Sequence, residues 1–180
     1  FGFKEIELFR TGWPMEYLED IFTPGEKKDV ILFPHRLAPE KQVDIFKDLS
    51  DSMDDVEFVI AQEKQLTKDA YHSLLANSKI VFSANQQETL GISCYEGALV
   101  GASPLVPDRL SYTEMYDSEF KYPSEWTENY DTYLEHKDEL MAKIRQILGK
   151  NDGSHIDKLA SDLGENFFNG DALYKIIGNQ

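Results

Sequence analysis

Four residues whose types could do chemistry stand in two short stretches. FPHRLAPEKQ (33–42) carries Arg36 and, five positions on, Lys41. QQETLGISCYEGALVG (86–101) carries Glu88 and Glu96 with seven residues between them, the second inside an otherwise apolar run. An arginine presents a rigid fork of N–H donors and a lysine a mobile point charge, and together they suit a diphosphate. A carboxylate in an apolar helix is costly to bury unless it is hydrogen-bonded. A pair of sugar hydroxyls would serve, because a carboxylate accepts from both. Each feature also has a plainer reading: Arg36 and Lys41 as solvated cations paired with Glu40 or Asp44, Glu88 as a helix cap, Glu96 against a nearby arginine or solvent. On the residues alone both readings stand.

A third stretch, GASPLVPDRLSYTEMY (101–116), carries a strand end with two prolines toward Tyr112, Thr113 and Glu114. These three could line the same crevice, or TEM could be an ordinary helix start capped by Thr113. Other chemistries lose support. The sequence has no phosphate-loop lysine motif and no G-x-G-x-x-G. No Ser-His-Asp or Cys-His pairing is suggested. His35, His72, His136 and His155 show no metal-ligand spacing with Cys94 or with each other, so no metal is expected. Cys94, in an apolar helix, reads as an inert core thiol. Trp13 and Trp126 read as packing anchors, and the acidic runs at 51–57 and 135–139 as solvated faces.

The elements that must position these residues follow from hydrophobic periodicity. DVILF (29–33), VEFVI (56–60), KIVFS (79–83) and SPLVP (103–107) read as short strands, apolar enough to be covered on both faces. Between them lie helical patterns: 39–53 with a Val43, Phe46, Leu49 stripe, 66–78 with Ala70, Leu74 and Leu75, and 91–101, apolar nearly all round. The tail is helical over 131–150, 154–168 and 170–178, with a break at NDGS. The alternation predicts an α/β fold, a Rossmann-like doubly wound parallel sheet flanked by helices, with a helical C-terminal tail. Arg36 and Lys41 then fall just past the carboxyl end of the first strand. Gly91 opens a helix after the third, with Glu88 in the preceding loop and Glu96 about one turn in. Ligands of open parallel sheets bind at that edge, near helix N-termini that favour anions.

The chain has 180 residues, enough for one domain with a real core, and a net charge of −15. So acidic a surface repels a phosphate backbone, and nucleic acid is not expected to bind this domain alone. No apolar stretch approaches the roughly 18 residues needed to cross a bilayer. The start, FGFKEIELFR, lacks a signal peptide and an initiator Met. With a single cysteine, the expectation is a cytoplasmic piece of a longer protein.

Taken in order, HRLAPEK, ETLGISCYE and GASPLVP resemble the C-terminal, donor-binding half of a retaining glycosyltransferase of the GT-B fold, similar to family 4. The likeness covers roughly residues 28 to 122, with Leu90 in place of the family's aromatic. HR rather than GR, and the wording CYEGALVGASPLVPDRLSYTEMY, look closest to the tRNA-queuosine mannosyltransferase-like branch. The resemblance implies a nucleotide-diphosphate sugar as donor, no further cofactor and no metal. Arg36 and Lys41 would hold the diphosphate, and Glu88 would face the donor sugar. Thr89, Leu90 and Gly91 would meet sugar or phosphate, and Glu96 would accept from the ribose hydroxyls. It also implies that residues 1–27 enter the domain, 28–150 form its core and 151–180 its last helices. The N-terminal acceptor domain would be absent, leaving a chain that binds donor but transfers little. A nucleotide-sugar epimerase of the same fold and a non-catalytic binding or assembly module are the competing readings.

Overall fold

The computed structural model describes residues 10–150 and 152–178. The expectations for residues 1–9 and for Asn151 in the NDGS break lie outside the described residues.

Five strands form one parallel sheet: β1 (Lys28–Phe33), β2 (Glu57–Ile60), β3 (Ser78–Phe82), β4 (Ser103–Pro107) and β5 (Lys121–Tyr122), in the order β2-β1-β3-β4-β5. β1 is central to the winding. Leu32 lies opposite Val59 of β2 on one side and Val81 of β3 on the other. Side chains alternate along a strand, so β1 feeds two cores. Val30 and Leu32 share their core with α1 (Leu18–Ile21), α3 (Lys68–Asn77), α4 (Ile92–Leu99) and α8 (Ser154–Phe167). Ile31 and Phe33 face α2 (Val43–Ser52), α6 (Tyr130–Glu135) and α7 (Lys137–Leu148). Burying each such aliphatic or aromatic side chain contributes roughly 1.5–3 kcal/mol. The chain winds from β1 out to the β2 edge, then returns past β1 to β3, so the connections diverge between β1 and β3. That divergence opens a crevice at their carboxyl ends.

The four strands read from the sequence are present, and the α/β class holds. β5 was not foreseen, because two residues carry no periodic signal. The helix read over 39–53 begins as a 3-10 turn at Pro39–Lys41, and α2 starts only at Val43. Gln42 between them is left-handed, with φ 53°, while its side-chain amide donates to the carbonyls of Ala84 and Thr127 at 2.6 and 2.8 Å. The long tail helix is two, interrupted at His136. The first starts at a capping box between Asn129 and Thr132. On α3 the buried face is Leu75 and Ala76, with Ala70 exposed.

α4 is apolar all round because it is sandwiched between the sheet and α8. Gly97 lies on Val81, and Tyr95 stacks on Phe168 with ring centroids 4.0 Å apart. α8 buries Ile156, Leu159 and Leu163 against this layer, and α9 (Asp171–Gly178) buries nothing among the described residues. The segment read as an entry linker runs beside the end of α8, where the Trp13 N–H donates to the Phe167 carbonyl at 2.7 Å. The Trp13 side chain is exposed rather than an anchor, since only its backbone is tied down. Trp126 is half-buried and stacked between Tyr122 and His136.

Candidate functional site

At the carboxyl edge, β1 leads to His35, Arg36 and Lys41, and β3 to Asn85, Glu88 and Gly91. The two basic residues behave differently: the Arg36 side chain is 72% exposed and the Lys41 side chain 11%. Arg36 forms an ion pair with Glu40, one turn on, as the plainer reading has it. Lys41 is not a solvated cation. Its ammonium donates to the Gln87 carbonyl at 2.7 Å and to Glu88 Oε2 at 3.2 Å. Asp44 is exposed and takes no part.

Glu88 is the hub of the cluster. Oε2 accepts from Lys41 and from Asn85 Nδ2 at 2.8 Å, while Oε1 accepts from the N–H groups of Thr89 at 3.0 Å and Gly91 at 3.2 Å. Burial alone would raise its pKa. The Thr89 N–H, the Lys41 charge and the Gly91 N–H outweigh burial and hold Glu88 below the ordinary carboxylate range. Thr89 is exposed and Leu90 half-buried. Gly91 is the N-cap of α4, in the left-handed region at φ 64°. Its backbone lies against the Tyr112 ring, so the helix N-terminus rests on a buried aromatic.

Glu96, one turn along α4, is half-buried. Its carboxylate accepts from the Tyr71 hydroxyl of α3 at 3.2 Å rather than from an arginine. Burial raises its pKa, against the opposing pull of the Tyr71 hydrogen bond and the Lys68 charge. The fold thus brings Lys41, Glu88 and Gly91 into direct contact. It leaves Arg36 at the rim, tied to Glu40, and Glu96 on the α3-facing side of α4. Tyr112 is fully buried, with its hydroxyl 3.3 Å from Ser83 Oγ and accepting from Asn85 Nδ2 at 3.4 Å. Thr113 and Glu114 are exposed, and Glu114 pairs with Arg10, which removes both from the crevice. The short helix α5 (Tyr112–Met115) has Ser111 as its N-cap, not Thr113. The Cys94 thiol is fully buried and pushed up to about 12 by burial, which keeps it unreactive.

Three residues at this edge escaped the sequence reading. His35 is buried beside Lys41 and Glu88. Burial first and the Lys41 charge second push its pKa down to about 4, so the ring is neutral at pH 7. Asn85 is fully buried and joins His35, Glu88 and Tyr112. Arg109, just past β4, donates to the carbonyls of Ala84, Asn85, Ser124 and Thr127 and to the Thr127 hydroxyl, over 2.6–3.2 Å. Polar residues directly after apolar strand ends, as in FPHR, FSAN and VPDR, were the available signal. Among the described residues no group of three or more His, Cys, Asp or Glu could hold a metal ion. A cavity of about 360 Å3 opens at the opposite, amino edge of the sheet, lined by Lys27, Lys79, Ser103 and His155 among others; none of the crevice residues reaches it.

No protein-family model matches the chain, and no curated protein matches it in sequence. Solved structures do resemble it. A mutant of TarM from S. aureus, in complex with fondaparinux, alpha-GlcNAc-glycerol and UDP, superposes with a TM-score of 0.62 at 16% identity, covering 87% of this chain and 36% of that one. The pneumococcal O-GlcNAc transferase GtfA, in complex with UDP and GlcNAc, gives a TM-score of 0.62 at 17% identity, covering 94% of this chain and 38% of that one. At such identities the likeness speaks to fold: a Rossmann-like half of a GT-B architecture with a helical C-terminal end. The chain spans little more than a third of the length of either protein. No described helix is long and apolar enough to cross a membrane.

Proposed function

We propose that this chain is the donor-binding half of a glycosyltransferase that retains the configuration of the transferred sugar, similar to family 4 and to its tRNA-queuosine mannosyltransferase-like branch. The observation that carries the reading is the buried Lys41 ammonium at the switch point, beside Glu88 and the N-terminus of α4. A desolvated cation beside a helix N-terminus is an anion site, occupied here by the Glu88 carboxylate, and a nucleotide-sugar diphosphate is an anion of the right kind to take its place. Both solved structures named above contain UDP by their descriptions, which fits a nucleotide donor.

In this reading Lys41, with Arg36 swung from Glu40, holds the two phosphates. They stabilise the charge that builds on the leaving nucleoside diphosphate as the sugar–oxygen bond breaks. Two side-chain cations thereby do the work of a metal. Glu88 and the Leu90 and Gly91 backbone face the sugar, and Glu96 accepts from the ribose. The acceptor and the second wall of the cleft belong to an N-terminal domain outside this chain, so the chain alone binds donor and transfers little.

Calorimetric titration with UDP, GDP, ADP and their glucose or mannose derivatives tests the proposal. One nucleotide family should bind, and Glu96→Gln and Arg36→Ala should each weaken it about 10-fold, the worth of a charge-assisted hydrogen bond. Unchanged affinity in both variants would remove the site assignment. Turnover of a nucleotide sugar without an acceptor would point to an epimerase instead.

A further inference from the structure

Glu88 sits on the groups that a diphosphate would use. Its two oxygens take the Lys41 ammonium, the Asn85 amide and the N–H groups of Thr89 and Gly91. The carboxylate is an internal anion in the anion site. Beneath it the polar layer is incomplete: His35 Nε2 and Asn85 Oδ1 are buried and find no hydrogen-bond partner among the described residues. Buried polar groups are normally satisfied, so these two atoms are spare hydrogen-bonding capacity beside Glu88.

Resting on the donor-site reading above, we propose that Glu88 is a specificity-determining residue that makes the site prefer a sugar-loaded nucleotide over the bare nucleoside diphosphate. A bare diphosphate must evict Glu88 from Lys41 and the helix N–H groups and offers that carboxylate nothing in return. A nucleotide sugar evicts it too, but its hydroxyls donate to the displaced carboxylate, so the cost is recovered. The spent nucleotide is then the weaker ligand, and it leaves as Glu88 folds back onto Lys41. This role differs from a simple sugar contact: it acts on the affinity of ligands that carry no sugar at all.

Titration of the wild-type chain and of Glu88→Gln with UDP, GDP or ADP, with the matching nucleotide sugar and with inorganic pyrophosphate separates the two roles. Glutamine keeps the size but gives Lys41 no counter-ion. The bare nucleotide and pyrophosphate should each bind Glu88→Gln about 10-fold tighter, while the nucleotide sugar gains nothing, so the preference for the loaded form collapses. Glu128 is exposed at the same edge, where its backbone carbonyl accepts from the Gln86 side-chain amide at 2.7 Å, so Glu128→Gln controls for mere loss of a negative charge. In the wild-type chain the Glu88 side-chain carboxyl carbon resonance should move on adding the bare nucleotide, a measurement that survives if Glu88→Gln folds poorly. Bare-nucleotide affinity that is unchanged in Glu88→Gln, or raised only as much as in Glu128→Gln, overturns the proposal and leaves the donor-site reading standing. An unmoved carboxyl resonance at saturating nucleotide does the same. Failure of all three nucleotides and of their nucleotide sugars to bind the wild-type chain overturns both.

Discussion

A β-carbon built on Gly91 would stand 2.6 Å from Cε1 of Tyr112. Two constraints meet there, because Gly91 also has φ 64° and Tyr112 is fully buried. The left-handed backbone costs about 1–2 kcal/mol for any side chain, and overpacking a buried ring costs about 1–3 more. Gly91→Ala should therefore destabilise the chain by about 2–5 kcal/mol in urea unfolding. A loss below about 1 kcal/mol would mean that the ring gives way and the N-terminus of α4 is not pinned.

Arg109 makes a parallel case on the other side of the crevice. Its guanidinium ties the loop after β3 to residues 124–127 through four carbonyls. Lysine keeps the charge but lacks the planar fork that reaches all four. Arg109→Lys should cost about 2–4 kcal/mol, since carbonyls of the buried residues Ala84, Asn85 and Thr127 lose their donors. Amide exchange should accelerate at 84–88 and 124–128 and stay unchanged in α8. Uniform acceleration across the chain would mean that Arg109 supports the whole fold rather than this loop.

Gly97 sets two effects against each other. Alanine in a helix interior gains about 1 kcal/mol over glycine. Here the added methyl would lie 2.5 Å from Val81 Cγ2, within the sheet–helix packing. Packing should win, with Gly97→Ala losing about 1–3 kcal/mol. Adding Val81→Ala should recover part of that loss, so the double variant is more stable than the sum of the singles by thermal unfolding. Simple additivity would show that the contact is not what excludes a side chain.

The sheet and its order of helices were legible because DVILF, VEFVI and KIVFS are short, apolar and separated by amphipathic stretches. That placed Arg36, Lys41, Glu88 and Gly91 at one edge. What periodicity does not encode is where long polar side chains go. Gln42 breaks a pattern that still reads as helical, because its amide bonds two carbonyls far along the chain. Lys41 looks like any surface lysine until its ammonium is seen under the loop. Tyr71, the partner of Glu96, lies on a helix read only for its aliphatic stripe. Arg109 is one charge in a loop, and its carbonyl partners are identical in every sequence.

Glu96 should cost the fold stability at neutral pH. Burial raises its pKa above the ordinary 4.5, so the folded chain holds this proton more tightly than the unfolded one. Folding is then favoured by Glu96 at low pH, and that advantage is lost as pH rises through the carboxylate range, leaving a desolvated charge above it. Glu88 has the opposite sign: its lowered value gives stability above the ordinary range that disappears on acidification. Glu96→Gln removes the titration while its side-chain oxygen still accepts from Tyr71. It should be about 1 kcal/mol more stable than wild type at pH 7, a gain of the size found when a residue is kept for function rather than stability. The difference should shrink towards nothing near pH 4, and denaturant unfolding at four or five pH values between these limits measures it. A difference that does not change with pH, or a less stable variant at pH 7, would show that the Tyr71 hydrogen bond outweighs the cost of burying the charge.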